Sequence, residues 1–123
     1  MLLDSNIVIY AQKPQHADLR QLSAQNPVAV SAISCVEVLG YHQLTEEDRE
    51  DFEAFFASTQ ILPISDAVLQ QAVKLRQMKK MALGDAIIAA TALVHGETLV
   101  TGNAKDFPWI AGLKLLNPFD KSS

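Results

Sequence analysis

At 123 residues the chain is long enough for one domain with a real core and too short for two. A net charge of −4 excludes a broadly basic nucleic-acid binder while leaving room for an enzyme that gathers cations in an acidic pocket. With 49% hydrophobic and 20% charged residues the balance is that of an ordinary globular protein, and no apolar run nears the roughly 18–20 residues of a membrane span.

Leu2-Leu3 reads as a very short buried strand whose end presents Asp4. The start, Met1-Leu-Leu-Asp-Ser-Asn, has no basic n-region, so no signal peptide and a cytoplasmic location without membrane contact are expected. Ser5-Asn6 turns the chain into a short apolar helix through Ile7–Ala11, and Pro14 separates it from a polar helix over about His16–Ala24. Val28-Ala-Val30 forms a second strand, and Ser31 is a natural N-cap for a helix from Ala32 to about His42 that carries Glu37. Cys35 is the only cysteine, which leaves no intrachain disulfide and suits a reducing compartment; its neighbours Ile33, Val36 and Val38 predict a buried, inert thiol.

Thr45-Glu-Glu-Asp48 matches the capping-box pattern and announces a helix to about Ala57 with Phe52, Phe55 and Phe56 on one face. Gln60–Ile64 is a third strand, and Pro63 puts it at an edge or a strand end. Ser65 caps a helix from Asp66 to about Lys80, with Val68, Leu69, Ala72, Val73 and Leu75 expected inward. The run from Asp85 to Val94, small and apolar throughout, is a buried helix stopped by Gly96. Thr98–Thr101 is a strand ending in the turn pair Gly102-Asn103, with Asp106 just beyond; Gly112–Leu116 adds an edge strand before the tail Lys121–Ser123. Short strands alternating with helices predict a three-layer α/β/α sandwich, one domain over 1–123, with a mainly parallel sheet and right-handed crossovers.

Four acids fall at strand ends or on apolar helices: Asp4, Glu37, Asp85 and Asp106. Singly, each has a plain explanation: Asp85 as a helix cap, Asp106 as a loop acid, Asn103 as a turn residue. The other acids, such as Glu46-Glu47-Asp48 and Glu50-Asp51-Glu53, read as a solvated helix face. A parallel sheet, however, brings the carboxyl ends of its strands to one edge, where ligands bind. Two unit charges about 4 Å apart repel by roughly 4 kcal/mol at an effective dielectric near 20, so such a cluster calls for protonation or a divalent cation. Oxygen-only ligands suit Mg2+ or Mn2+ rather than zinc, and His16, His42 and His95 show no ligand spacing. Acids holding a metal beside open water positions are an arrangement for phosphoryl transfer, and no P-loop, G-x-S-x-G or Cys–His pairing offers another route.

Four segments together, Leu3-Asp4-Ser5-Asn6, Val30–Glu37, Gly84–Leu93 and Leu99–Phe107, resemble the PIN-domain nucleases, in particular the VapC-type toxins of toxin–antitoxin pairs, over almost the full chain. The resemblance implies a metal-dependent endoribonuclease that leaves a 5′-phosphate and a 3′-hydroxyl. It also implies a homodimer, silenced by a small VapB-like antitoxin. On this resemblance Asp4, Glu37, Asp85 and Asp106 are the catalytic quartet, and Asp4 and Asp85 are the most direct metal ligands. Asn6, Ser31, Thr101 and Asn103 would hold those carboxylates by hydrogen bonds. Gly102 stands where the family often has a basic residue.

Lys74, Arg76, Lys79 and Lys80 form a basic cluster that either steers an RNA backbone or is a solvated helix end. The phenylalanine face is core or, where exposed, a groove for the antitoxin; Trp109 and Tyr10 are core residues or base-stacking surfaces. Two other classes share the length and the acids: a catalytically idle binding protein of the same fold, and a receiver-type signalling domain. The latter needs a phosphorylatable Asp after a middle strand and a Lys after a later one, for which Lys105 is a candidate.

Overall fold

The computed structural model describes residues 1–119; the tail Lys121–Ser123 lies outside the described residues. Five short strands, β1 (Leu2–Leu3), β2 (Ala29–Ser31), β3 (Gln60–Leu62), β4 (Leu99–Val100) and β5 (Leu115–Leu116), make one sheet in the order β3-β2-β1-β4-β5. Every pairing is parallel, with Leu2 opposite both Ala29 and Leu99, and Leu3 opposite both Val30 and Val100. Neighbouring side chains in a strand point to opposite faces. Leu2, Ala29 and Leu99 accordingly join one core cluster, while Leu3, Val30 and Val100 join the other.

Among the described residues six α-helices cover the two faces. Those named α5 (Asp66–Met78) and α6 (Leu83–His95) pack with the first cluster, where residues Ala86–Ala90 and Ala92 are buried without a break. A helix apolar all round belongs in such a place. On the opposite side lie α1 (Ser5–Ala11), α2 (Ala17–Gln25), α3 (Ala32–Leu39) and α4 (Glu46–Ala57), which contribute Ile7, Val8, Val38, Phe52 and Phe56 to the second cluster. The expected three-layer sandwich is what the chain forms.

Local chemistry sets the boundaries. Ser31, Thr45 and Ser65 each accept a main-chain N–H that would otherwise be orphaned in the first turn of α3, α4 and α5. Gly96 ends α6 at φ 65, a left-handed conformation that glycine adopts without steric cost. Four expectations need correction. Helix α3 stops at Leu39, not near His42, because Gly40 caps it with its N–H on the Val36 carbonyl. Helix α5 stops at Met78, leaving Lys79 and Lys80 in an extended link to α6. Leu69 and Val73 are 47% and 55% exposed, since the sheet and α6 cover only the stripe of Val68, Ala72 and Leu75. Val36 is 67% exposed and Cys35 only partly buried, although burial still pushes the Cys35 thiol up, against a weaker main-chain hydrogen bond.

No helix among the described residues is long and apolar enough to cross a membrane.

Candidate functional site: four carboxylates at the carboxyl edge of the sheet

The strand order reverses direction between β1 and β4: the chain runs outward from β1 through β2 to β3, then returns to place β4 on the other side of β1. Such a switch point opens a crevice beyond the strand ends. Asp4 leaves β1 directly into it, and Thr101 leaves β4 beside it. Thr101, fully buried, donates its hydroxyl proton to Asp4 Oδ2 at 2.7 Å, and its oxygen accepts the Asn103 main-chain N–H at 3.1 Å. The other Asp4 oxygen accepts the Ser5 N–H at 2.7 Å, so the carboxylate, only 5% exposed, is pinned at both oxygens. Hydrogen bonds of this charged kind are about twice as strong as neutral ones.

Glu37 arrives from α3. Ser5 Oγ donates to Glu37 Oε1 at 2.8 Å and is hydrogen-bonded to the Ser34 hydroxyl at 2.9 Å. Ser34 and Glu37 are three apart on one helix face, which lets both reach the start of α1. From the opposite layer, the first turn of α6 comes so close that a Cβ on Gly84 would stand 2.6 Å from Glu37 Oε2. The next residue is Asp85. Its helix is capped at Ala82 and not by Asp85, so this carboxylate is free of the cap role that its sequence position offered.

The Asp85 carboxyl is pushed above its ordinary value of 3.8, chiefly by burial and then by the charges of Asp4, Glu37 and Asp106. Residues 4, 37, 85 and 106 thus lie within electrostatic reach of one another. Asp106 sits on the short 3₁₀ turn Ala104–Asp106 after β4, its carbonyl accepting the Trp109 indole N–H at 3.0 Å.

The remaining predicted residues are placed less uniformly. Ser31 is buried, but the hydrogen bond its hydroxyl makes is the cap of α3 to the Ile33 N–H, not one to a carboxylate. Asn6 is exposed on α1, and Asn103 reaches Thr101 through its main chain. The hydroxyl that holds Glu37 is Ser5, backed by Ser34; both were missed. Their signals were adjacency to Asp4 and the i,i+3 spacing to Glu37.

A cavity of about 260 Å³ opens beside Asp85 and Asp106, walled by Lys79, Lys80, Met81, Lys105, Phe107 and Trp109. Lys79 and Lys80 therefore border the acids, whereas Lys74 and Arg76 lie on the exposed surface of α5 and do not line it. A larger groove of about 470 Å³ runs between α1, α3 and α4, from Ile9 and Lys13 past Val38 and Tyr41 to Asp48 and Phe52. Of the phenylalanine face, Phe52 and Phe56 are core and Phe55 is half-buried; Phe52 also forms part of the groove wall. Tyr10 packs edge-on against Phe119.

A divalent metal fits the chemistry of this site. Among the described residues no Lys, Arg or N-terminal amine forms a direct ion pair with any of the four acids, and the charges of Asp4, Glu37 and Asp106 add to burial in raising Asp85. No three His, Cys, Asp or Glu side chains among those residues form a closed ligand cage. The mid-chain acids from Glu46 to Glu53 stay on the exposed side of α4, and β1 lies between β2 and β4; a receiver-like order would place β3 beside β1.

The model of the PIN domain family matches residues 1–113. The chain is 30% identical to Ribonuclease VapC2 of Rickettsia felis, over 94% of this chain and 96% of that protein. Its fold superposes on a chain of a toxin–antitoxin complex from Klebsiella pneumoniae with a TM-score of 0.78 at 33% identity, covering 97% of this chain and 98% of the other. It superposes likewise on a chain of VapBC2 from Rickettsia felis bound to a promoter DNA fragment, with a TM-score of 0.79 at 26% identity and coverages of 94% and 96%.

Proposed function

Because the chain belongs to the PIN-domain family, we propose that it is a metal-dependent endoribonuclease and the toxin of a VapBC-type toxin–antitoxin pair. It hydrolyses RNA phosphodiester bonds with water as nucleophile and works in the cytoplasm. The observation that carries this reading is the convergence of Asp4, Glu37, Asp85 and Asp106 beyond the carboxyl ends of β1 and β4, with Asp4 pinned by Thr101 and the Ser5 N–H, Glu37 held by Ser5, and no protein cation paired to any of the four among the described residues.

When bound, Mg2+ or Mn2+ acidifies a water and neutralises charge on the phosphate oxygens. Asp4 and Asp85 would hold the ion. Thr101 and the Ser5 N–H fix the Asp4 carboxylate in place, so it needs no reorganisation during the reaction. Glu37, held by Ser5, orients the attacking water and takes up its proton. Asp106, on its turn after β4, completes the negative rim.

A VapB-like antitoxin is the partner that silences it. Its segment lies in the apolar groove between α1, α3 and α4, the two helices α1 and α3 being those that also carry Ser5 and Glu37. Two copies of the chain pair through the exposed apolar stripe of Leu69 and Val73 on α5.

The test is cleavage of single-stranded RNA by purified protein with Mg2+ or Mn2+ against the same mixture with EDTA, and with Asp85→Asn. Expected are metal-dependent fragments with 5′-phosphates, loss of cleavage in the variant, and growth arrest on expression that Asp85→Ala relieves. Protein that binds RNA yet never cuts it with either ion is an idle binder of the same fold, and the proposal fails.

A further inference from the structure

Three of the eight residues that line the cavity beside Asp85 and Asp106 are lysines. In a chain of net charge −4, Lys79 and Lys80 reach it from the link between α5 and α6, and Lys105 from the 3₁₀ turn after β4. All three line the same recess as two carboxylates, yet the ion pairs among the described residues are Met1 with Glu97 and Arg49 with Glu46 and Glu53. The three lysines are thus exposed and free of direct ion pairs among the described residues, which leaves their ammonium groups available to an arriving anion.

The recess also has a built wall. Lys79 Nζ stands 5.6 Å from the centroid of the Trp109 ring, within the range of a cation–π contact. The same indole donates its N–H to the Asp106 carbonyl at 3.0 Å. One side chain therefore ties the basic link to the turn that carries Asp106. At about 260 Å³ the recess falls below the roughly 300–1,000 Å³ of a pocket for a whole small ligand, a size that suits a backbone phosphate with its sugar.

We propose that this recess seats an RNA backbone phosphate next to the one that is cut, gripped by Lys79, Lys80 and Lys105. Trp109 is its positioning residue, fixing Lys79 relative to Asp106. The inference rests on the ribonuclease reading of the acids and adds the place where the substrate strand is held. It separates Lys79 and Lys80 from Lys74 and Arg76, which lie outside the recess, and it adds Lys105, whose charge the acidic neighbourhood conceals in the sequence.

The test is fluorescence anisotropy with a labelled single-stranded RNA oligonucleotide, Ca2+ replacing Mg2+ to hold the strand uncut, over a series of salt concentrations. Each phosphate contact on a single strand contributes a slope of about 0.7 in log Kd against log salt. Lys79→Gln with Lys105→Gln should lower the slope by up to about 0.7, the share of the one phosphate they grip, and weaken binding by up to about fivefold near 0.1 M salt. Lys74→Gln with Arg76→Gln should change the slope by less than half as much. Trp109→Leu should lower the slope in the same direction by a smaller amount, a change that general loosening of the fold does not produce, and should raise KM for RNA cleavage more than it lowers kcat. Trp109→Phe, which keeps a ring face for Lys79 and loses the donor to Asp106, should keep the wild-type slope. Should Trp109→Leu not fold, the two exposed lysines decide alone. Wild-type cleavage together with an unchanged slope in the Lys79/Lys105 variant overturns the inference and leaves the ribonuclease reading standing. Wild-type protein that neither binds nor cuts RNA removes both.

Discussion

Gly84→Ala separates the fold from the site. The added Cβ would stand 2.6 Å from Glu37 Oε2, 3.1 Å from its Cδ and 3.3 Å from Oε1, so the three atoms nearest to it belong to one carboxylate. To reach an ordinary contact near 3.4 Å, that carboxylate must retreat by about 0.8 Å. Glu37 is solvent-exposed and its tip is flexible, so the retreat is cheap for the fold. Alanine in place of glycine near the start of α6 offers up to about 1 kcal/mol of helix propensity in return. The retreat is not cheap for the chemistry, because it carries Glu37 Oε1 off the Ser5 hydroxyl at 2.8 Å, and a misplacement on the order of 1 Å costs up to about 100-fold in rate. The expected variant is as stable as the wild type or up to about 1 kcal/mol more so by urea unfolding, and about 10–100-fold slower in RNA cleavage. A second copy of the substitution in a Glu37→Ala background, where nothing is left to collide with, should cost almost nothing further. Wild-type cleavage by Gly84→Ala, or an equal loss in both backgrounds, would refute the claim that Gly84 exists to let Glu37 into the site.

Thr101→Val removes a hydroxyl that serves Asp4 and leaves the Asn103 N–H without its acceptor, which should cost about 2–4 kcal/mol in urea unfolding and at least tenfold in cleavage; Thr101→Ser should recover most of both, and a loss below about 0.5 kcal/mol would contradict the structure. Asp85 has a raised proton affinity in the fold, so its contribution to stability is whole below 3.8 and is lost as pH rises through the higher folded value. Metal-free protein should therefore weaken from acid toward neutral pH, Mg2+ should restore it at neutral pH, and Asp85→Asn should flatten the dependence; urea midpoints with EDTA across that range decide, and an identical slope in the variant sinks the assignment. Leu69→Glu with Val73→Glu, both on the exposed stripe of α5, should shift the protein from dimer to monomer in light scattering without lowering its thermal midpoint, whereas a wild type already monomeric rejects that interface.

The fold was legible where short-range chemistry decides it. Ser31, Thr45 and Ser65 mark helix starts because a side-chain oxygen two bonds from Cα is a local fact. Gly96 marks a helix stop for the same reason. Leu69 and Val73 were not legible, because the apolar arc on α5 is wider than its neighbours cover. What lies over an arc is a property of the packed molecule, and no periodicity reports it. The two lysines after Met78 illustrate the point again. A helix-compatible sequence leads up to them, yet Lys79 turns extended where the chain must cross to α6, and that turn puts both lysines at the recess.

The site divides along the same line. Acids at strand ends converge because a parallel sheet with right-handed crossovers leaves them no other edge, so Asp4 and Asp106 follow from topology and charge. The groups that hold them do not follow. Ser31 and Ser5 are both serines at the head of a helix after a buried strand, and one caps its own helix while the other reaches Glu37. The difference is that α3 starts beside α1, so Ser5 looks across at Ser34 and Glu37, whereas Ser31 looks down its own axis at Ile33. A hydroxyl goes to the strongest acceptor or nearest orphan donor within its reach, and reach is set by which helices are neighbours. Ser5→Ala is thus the sharper probe of the catalytic arrangement. It should free Glu37 and slow cleavage while α1, capped by Asp4, keeps its start; Ser31→Ala should instead loosen α3 by about 1 kcal/mol and affect Glu37 only through that helix.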